Sequence, residues 1–148
     1  MKTKNEIVKD WLPRYTGLEL EEFGKYILLT NFKGYIDLFC KMTGAKVKDK
    51  RKGMPAVTHD GITMINFGMG SPNAATIMDL LSAVEPGACL FLGKCGGLKK
   101  RNNLGDLILP IAAIRGEGTS NDYLRPEIPA LPSFRLQRSV SSMIKKHE

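Results

Sequence analysis

Four short segments of the chain carry residues that could bind a polar small molecule. Three of them are rich in glycine, which lacks a side chain and lets a ligand approach the backbone closely. Hydroxyl, amide, ammonium and guanidinium groups in these segments could hydrogen-bond a ligand or pair with an anion. Each segment follows a predicted strand, and α/β proteins usually bind ligands at the carboxyl ends of their strands. The segments are Thr30-Asn31-Phe32, Gly68-Met69-Gly70-Ser71, Gly93-Lys94-Cys95-Gly96-Gly97 and Arg115-Gly116-Glu117-Gly118-Thr119-Ser120.

The charged and hydroxyl-bearing residues of these segments are the candidate ligand contacts. Lys94 and Arg115 supply cations, and Ser71 is expected to cap a helix, with Pro72 at its first helical position. The free amide groups at such a helix start attract anions. The glycine turns match neither a Walker loop nor a complete dinucleotide fingerprint. Further hydrogen-bonding groups come from Glu117, Thr119 and Ser120.

The predicted strands would bring these segments to a common sheet edge. Short, continuous apolar runs predict buried strands. Asp60-Gly61 strongly favours a two-residue hairpin turn. Pro110 interrupts the last run and indicates a bulge or an edge position there. The predicted strands are 26–31, 56–59, 62–67, 88–92 and 106–114.

Helices are predicted between these strands. The capping-box pattern Thr3-Lys4-Asn5-Glu6 begins the first helix, which Pro13 and Gly17 are expected to end. The alternation of strands and helices predicts an α/β fold, in which a mixed, mostly parallel sheet lies between layers of helices. We expect a single domain over 1–148, with 1–25 as its N-terminal helix and lead-in. Three further helices are predicted, from Gly34 to Gly44, from Ser71 to Pro86 and from Ser133 to His147, with His147 as a charged helix end.

The composition is that of an ordinary globular protein, with 43% hydrophobic and 25% charged residues and no apolar run long enough to cross a membrane. Part of the net charge of +7 lies in Lys46–Gly53, whose charges have no aromatic residues between them. This pattern favours a solvated loop, and a nucleic-acid-binding domain ranks last among the alternatives. Cys40, Cys89 and Cys95 show no metal-binding spacing, so we expect reduced thiols in a cytoplasmic protein without metal or cofactor.

Several motifs resemble the nucleoside phosphorylase and nucleosidase superfamily, and the resemblance runs from about Tyr26 to the end of the chain. The run from Ala113 to Ser120, followed by Pro129-Ala130-Leu131-Pro132, is similar to the AMP nucleosidase branch. The resemblance implies that superfamily's three-layer fold. The motifs shared more widely are Gly68-Met69-Gly70-Ser71-Pro72, Phe91-Leu92-Gly93-Lys94-Cys95-Gly96-Gly97 and Leu104-Gly105-Asp106-Leu107-Ile108-Leu109-Pro110.

The resemblance implies hydrolysis of the N-glycosidic bond of AMP to adenine and ribose 5-phosphate. Met69 would then lie against the ribose, Cys95 and Gly96 would border the base, and the loop that begins at Arg115 would close over the ligand. The substrate-binding residues implied in this way are Thr30, Asn31, Met69, Gly70, Lys94, Cys95, Gly96, Arg115, Glu117, Thr119 and Ser120.

Two departures from the phosphorylases concern the nucleophile. Thr30-Asn31-Phe32 stands where they carry Gly-Asp-Pro, and Phe91 and Lys94 stand where they place an arginine and a serine for inorganic phosphate. Because phenylalanine cannot replace the bidentate guanidinium, water is the expected nucleophile. Lys94 could bind the 5′-phosphate or balance charge at the purine site. The alternative interpretation is that Lys94 is an exposed loop lysine without a ligand contact.

The catalytic acid is not assigned. In the superfamily, acids come from a Met-Glu and a Ser-Asp segment, neither of which occurs here. Glu117 is the candidate for this role, and the alternative interpretation is that it is a solvated loop carboxylate. His59 is expected to be a surface residue at a strand end.

The resemblance also implies a domain longer than 148 residues. We therefore expect a truncated form with an open sheet edge, which could bind a purine nucleotide without turnover. Apolar helix residues such as Leu136, Val140 and Ile144 would be covered by self-association, which predicts a homo-oligomer.

Overall fold

The computed structural model describes residues 2–146, so the prediction for His147 lies outside the described residues. The chain divides into two compact units, Met1–Lys94 and Cys95–Glu148. The first unit contains helices α1 (Lys4–Thr16), α2 (Lys33–Thr43) and α3 (Ser71–Leu81) and strands β1 (Tyr26–Thr30), β2 (Ala56–His59), β3 (Ile62–Asn66) and β4 (Ala88–Leu92). The second contains helix α4 (Phe134–Ile144) and a short 3₁₀ helix at Thr119–Asp122.

The sheet of the first unit is mixed and mostly parallel, as predicted. Its strand order is β2-β3-β1-β4. Strand β1 runs parallel to both β3 and β4, whereas β2 pairs with β3 in the antiparallel direction. The carboxyl ends of β3, β1 and β4 therefore lie side by side along one edge. Asp60 and Gly61 both have positive φ, 46° and 73°, which is typical of the predicted hairpin turn.

Helices cover both faces of this sheet. Side chains of successive strand residues point to opposite faces, so neighbouring residues of β1 contact different helices. Ile27 and Leu29 of β1 belong to a buried cluster that also contains residues of α1 and α3. Leu28 of β1 packs instead against a second cluster around Ile36 of α2. The three-layer α/β arrangement predicted from the sequence is confirmed.

Several helix boundaries differ from their predictions, and α3 ends at Leu81 rather than at Pro86. Pro13 lies inside α1, which continues to Thr16 and is capped by Gly17 in the left-handed conformation. Ser71 is the first residue of α3 and does not cap it; the N-cap position belongs to Gly70. Gly70 has φ 96° and ψ 151°, a conformation that favours glycine over a residue with a Cβ.

Two strand predictions also need correction. Strand β4 has the predicted bounds but is not buried, since Phe91 is 60% exposed at the open edge of the sheet. The apolar run 106–114 forms no strand; among the described residues, its only ladder contact is an isolated antiparallel bridge between Ala113 and Ala130. An apolar run without a neighbouring strand cannot satisfy its backbone by pairing, whatever its intrinsic preference.

Candidate functional site

The carboxyl edge of the sheet brings together five of the predicted site residues. Thr30 ends β1, Met69 and Gly70 lie between β3 and α3, and Lys94 follows β4. Asn31 directly follows Thr30 and donates a hydrogen bond from Nδ2 to the Met69 Sδ atom over 3.4 Å. The segments after β1 and β3, chosen for their residue types, are therefore in contact.

Thr30 and Asn31 have different surroundings. Thr30 is fully buried, and its hydroxyl accepts a hydrogen bond from the Phe32 amide over 3.1 Å. Thr30 thus shapes the turn after β1. The Oδ1 atom of Asn31 is shielded from solvent and has no hydrogen-bond partner among the described residues. An unpaired buried acceptor is costly, so a donor that reached this atom would gain a favourable interaction.

The backbone of Met69 is fixed by a hydrogen bond, whereas the residue is largely exposed to solvent. Its carbonyl oxygen accepts a hydrogen bond from Nδ2 of Asn73 in the first turn of α3, over 3.0 Å. The residue is 70% exposed. A thioether in this position offers apolar, polarisable contact to a ligand such as a sugar ring.

Lys94 is fixed by two aromatic rings. Its Nζ atom lies 4.8 Å from the centroid of the Phe32 ring and 5.6 Å from that of Tyr35. The two rings meet edge to face, with centroids 5.9 Å apart. The sequence patterns predicted neither Phe32 nor Tyr35 as a partner of Lys94. The register of the structure explains the Phe32 contact: Thr30 pairs with Leu92, and Phe32 and Lys94 each lie two residues after their paired residue.

The remaining predicted site residues belong to the second unit, where Arg115 organises a loop. Its Nη2 atom donates hydrogen bonds to the carbonyl oxygens of Leu124 and Arg125, each over 2.8 Å, and to Oδ1 of Asn121 over 3.1 Å. Its Nε and Nη1 atoms are shielded from solvent and have no hydrogen-bond partner among the described residues. This guanidinium therefore keeps unused donors for an anion or a carbonyl group.

Glu117 participates in the same loop. One carboxylate oxygen accepts a hydrogen bond from the Ser120 hydroxyl, and both accept from the Ser120 amide, over 3.2 and 3.3 Å. These contacts hold the start of the 3₁₀ helix that begins at Thr119. They give the candidate acid a visible role in building the loop. Cys95 and Gly96 are exposed in the segment that opens this unit.

A cleft of about 520 Å³ in the second unit lies apart from these loop residues. Its lining includes Ile111, Phe134 and the cations of Arg138 and Lys145, and none of the predicted substrate-binding residues. Among the described residues, no group of three or more His, Cys, Asp or Glu side chains is placed to hold a metal ion. No helix within the described part of the chain is long and apolar enough to cross a membrane.

His59 lies away from the carboxyl edge. It pairs with Ile62, the first residue of β3, and so belongs to the opposite end of the sheet. Its Nε2 atom lies 3.4 Å from a carboxylate oxygen of Asp60, and its side chain is partly exposed. These positions agree with the predicted surface histidine.

Comparison with known proteins places this geometry in a family. A profile described as the phosphorylase superfamily matches residues 25–147. The chain belongs to the phosphorylase superfamily. This match confirms the resemblance inferred from the glycine-containing motifs and includes residues of both units.

Among its relatives, this superfamily member is similar to AMP nucleosidases. The crystal structure of AMP nucleosidase from Bacteroides thetaiotaomicron is 57% identical, with a TM-score of 0.92 over 99% of this chain and 62% of that one. AMP nucleosidase from Escherichia coli K12 is 29% identical over 90% of this chain and 35% of its own length. Purine nucleoside phosphorylase from Toxoplasma gondii, at 19% identity and a TM-score of 0.77 over 87% of this chain and 54% of that one, shows the shared fold. The chain thus spans less than two thirds of the AMP nucleosidases it matches.

Proposed function

We propose that the protein hydrolyses the N-glycosidic bond of AMP and releases adenine and ribose 5-phosphate, a reaction of purine salvage. The observation that carries this proposal is the 57% identity to an AMP nucleosidase, which extends over 99% of the chain. The arrangement of Met69, Asn31 and Lys94 along one sheet edge supports it, because a nucleotide presents a sugar, hydroxyl groups and a phosphate to these three groups.

The reaction requires three chemical contributions. Water adds to C1′ of the ribose while the bond from C1′ to the purine nitrogen breaks and its electron pair passes to the base. A general acid protonates the departing purine, and the attacking water loses a proton. The sugar carries positive charge at the transition state, so nearby acceptors and soft contacts favour it. Asn31 Oδ1 and the Met69 thioether are available for this purpose at the sheet edge.

The other predicted contacts extend the proposal to the second unit. We expect Cys95 and Gly96 to border the purine, and the loop that Arg115 organises to close over the ligand. The unused Nε and Nη1 donors of Arg115 support an anion or base contact there. Glu117 already accepts hydrogen bonds from Ser120, so mutation is needed to decide whether it also acts as the general acid.

Binding without turnover is the second candidate function. The residues that directly follow β1, β3 and β4 as far as Phe32, Gly70 and Lys94 include no carboxylate. Such an edge could hold a nucleotide without protonating its base. We also propose a cytoplasmic homo-oligomer: the three cysteines are free, and Phe134 on α4 is 76% exposed.

Incubation of the purified chain with AMP, with and without inorganic phosphate, tests the proposal. Hydrolysis predicts adenine and ribose 5-phosphate in both samples, and loss of adenine formation in Glu117→Gln with unchanged AMP binding would support Glu117 as the acid. Release of ribose 1,5-bisphosphate only when phosphate is present would instead show phosphorolysis. A folded chain that binds AMP in calorimetry but forms no adenine would support the binding module, and the absence of AMP binding would refute both candidates.

A further inference from the structure

We infer that Lys94, held by Phe32 and Tyr35, reads the phosphate of the substrate and so selects nucleotides over nucleosides. In this arrangement Lys94 contacts the ligand, whereas the two aromatic residues are positioning residues. The inference rests on the proposed function, because it names the feature of AMP that the same sheet edge recognises.

The strand register brings the three side chains together. Thr30 of β1 pairs with Leu92 of β4, and Phe32 and Lys94 each follow their paired residue by two positions. Tyr35 lies one turn further along, in the first turn of α2. The ammonium therefore stands above two ring faces at the carboxyl edge, 4.8 Å and 5.6 Å from their centroids. This position results from the pairing of two parallel strands, and a freely rotating loop lysine would not be held there.

Three other exposed lysines of the chain have carboxylate partners. Lys4 pairs with Asp79 over 3.1 Å, Lys33 pairs with Asp37 over 3.0 Å, and Lys48 pairs with Glu22. Within the described part of the chain, Lys94 has no carboxylate within ion-pair distance. Ring faces attract an ammonium ion through their quadrupole and do not neutralise its charge. Lys94 thus keeps its N–H donors for an anion.

The chemistry of AMP identifies that anion. Adenine and ribose are neutral at pH 7, whereas the phosphate carries about −1.5 to −2 charges and three strong acceptor oxygens. A lysine serves as a point charge for phosphate and needs no fixed planar fork. The two rings limit the motion of the long side chain in advance, so less conformational entropy is lost when the phosphate binds.

Calorimetric titration of the chain with AMP and with adenosine measures the selection directly. We expect the wild-type chain to prefer AMP by roughly tenfold or more, as a charge-assisted hydrogen bond would give. In Lys94→Met the preference should fall to about twofold, and Lys94→Arg should restore part of it. Lys33→Met removes a nearby exposed cation that already has a carboxylate partner, and this matched control should keep the wild-type ratio.

The positioning role has its own variants. Phe32→Leu should lower the AMP-to-adenosine affinity ratio by about threefold, because the ammonium loses the ring beneath it, whereas Phe32→Tyr keeps a ring and should restore the ratio. The preference should also weaken as salt is raised from 0.05 to about 0.5 M, since an exposed charge pair is screened. A general disturbance of the fold would lower both affinities together and would leave no rescue by tyrosine.

The outcomes separate this inference from the proposed function. An unchanged AMP-to-adenosine ratio in Lys94→Met, or an equal loss of both ligands in Phe32→Leu, overturns the inference even if AMP is cleaved. AMP bound and not cleaved refutes the hydrolysis, while the ratio still decides the role of Lys94. A wild-type chain that binds neither ligand refutes both.

Discussion

Arg115 offers a prediction about the loop that contains four of the eleven candidate contacts. Its Nη2 atom joins the carbonyl oxygens of Leu124 and Arg125 and the side chain of Asn121. Arg115→Lys keeps the positive charge but replaces the planar group with an ammonium that cannot reach all three acceptors in the same geometry. The change should therefore loosen the segment 116–125 without altering the net charge of +7.

The size of the effect follows from the exposure of the groups that lose their partner. A hydrogen bond from a charged donor contributes about 1.5–3 kcal/mol when its partner is left buried and unpaired. Leu124 and Arg125 are exposed residues, so water can replace the lost donor at their carbonyls, and the cost per bond is lower. The shielded Nε and Nη1 atoms already lack partners, so their removal relieves part of the cost. We expect a net loss of about 1–2 kcal/mol in local stability, which corresponds to roughly 5- to 30-fold more frequent opening.

Hydrogen–deuterium exchange followed by mass spectrometry measures this opening. Peptides that cover 116–125 should exchange faster in Arg115→Lys by the factor above, while peptides from β1 and β3 should keep the wild-type rate. Arg125→Lys is the matched control, because it changes a neighbouring arginine of the same charge and leaves the backbone carbonyl that accepts from Arg115. Saturating AMP should slow exchange in the wild-type loop if the loop closes over the ligand.

Two results would refute the reasoning. Equal loop exchange in the wild type and in Arg115→Lys would show that the three hydrogen bonds contribute nothing to loop order. Equal acceleration in the control and in Arg115→Lys would show that any change of arginine to lysine in this segment has the same effect.

Three further predictions concern the first unit and the thiols. Thr63→Val should lower the free energy of unfolding by about 1–3 kcal/mol in urea titration, since the Gly24 amide loses a hydroxyl acceptor 2.7 Å away; an unchanged midpoint would contradict this. Gly70→Ala should lower the free energy of unfolding by about 1 kcal/mol or more in the same assay, because Gly70 has a φ of 96°. A stabilising effect would refute this positive-φ backbone conformation at Gly70. Burial raises the pKa of the Cys89 thiol to about 11. At pH 8, iodoacetamide should therefore label exposed Cys95 well before Cys89. The stability that the buried, neutral Cys89 thiol contributes should decline as pH rises from about 9 to about 11.

Sequence patterns predicted most of the fold of the first unit because its signals are local. The capping box at Thr3, the hairpin at Asp60-Gly61 and the helix end at Gly44 each depend on residues a few positions apart, and each is present in the structure. Burial was predicted less well. An apolar run such as 88–92 indicates a strand but contains no information on whether a neighbour covers it, and here the strand forms an open edge.

Resemblance and geometry contributed differently to the candidate site. Motif types such as Gly68-Met69-Gly70 were sufficient to predict the superfamily, which the match over 25–147 confirms. The contact between Asn31 and Met69 required the parallel pairing of β1 with β3, which no short motif contains. The acceptors of Arg115 lie six to ten residues beyond it in an irregular loop, where periodicity gives no guidance.

The sequence alone determined the residue types, the order of strands and helices, and the family to which the chain belongs, because these depend on local patterns. Only the tertiary structure decided which side chains meet. Lys94 is the clearest case: in the sequence it is a loop lysine with several roles open to it, and the register between β1 and β4 places its ammonium over Phe32, more than sixty residues away. Strand pairing over such a separation depends on the packing of the whole sheet, and no window of the sequence specifies it.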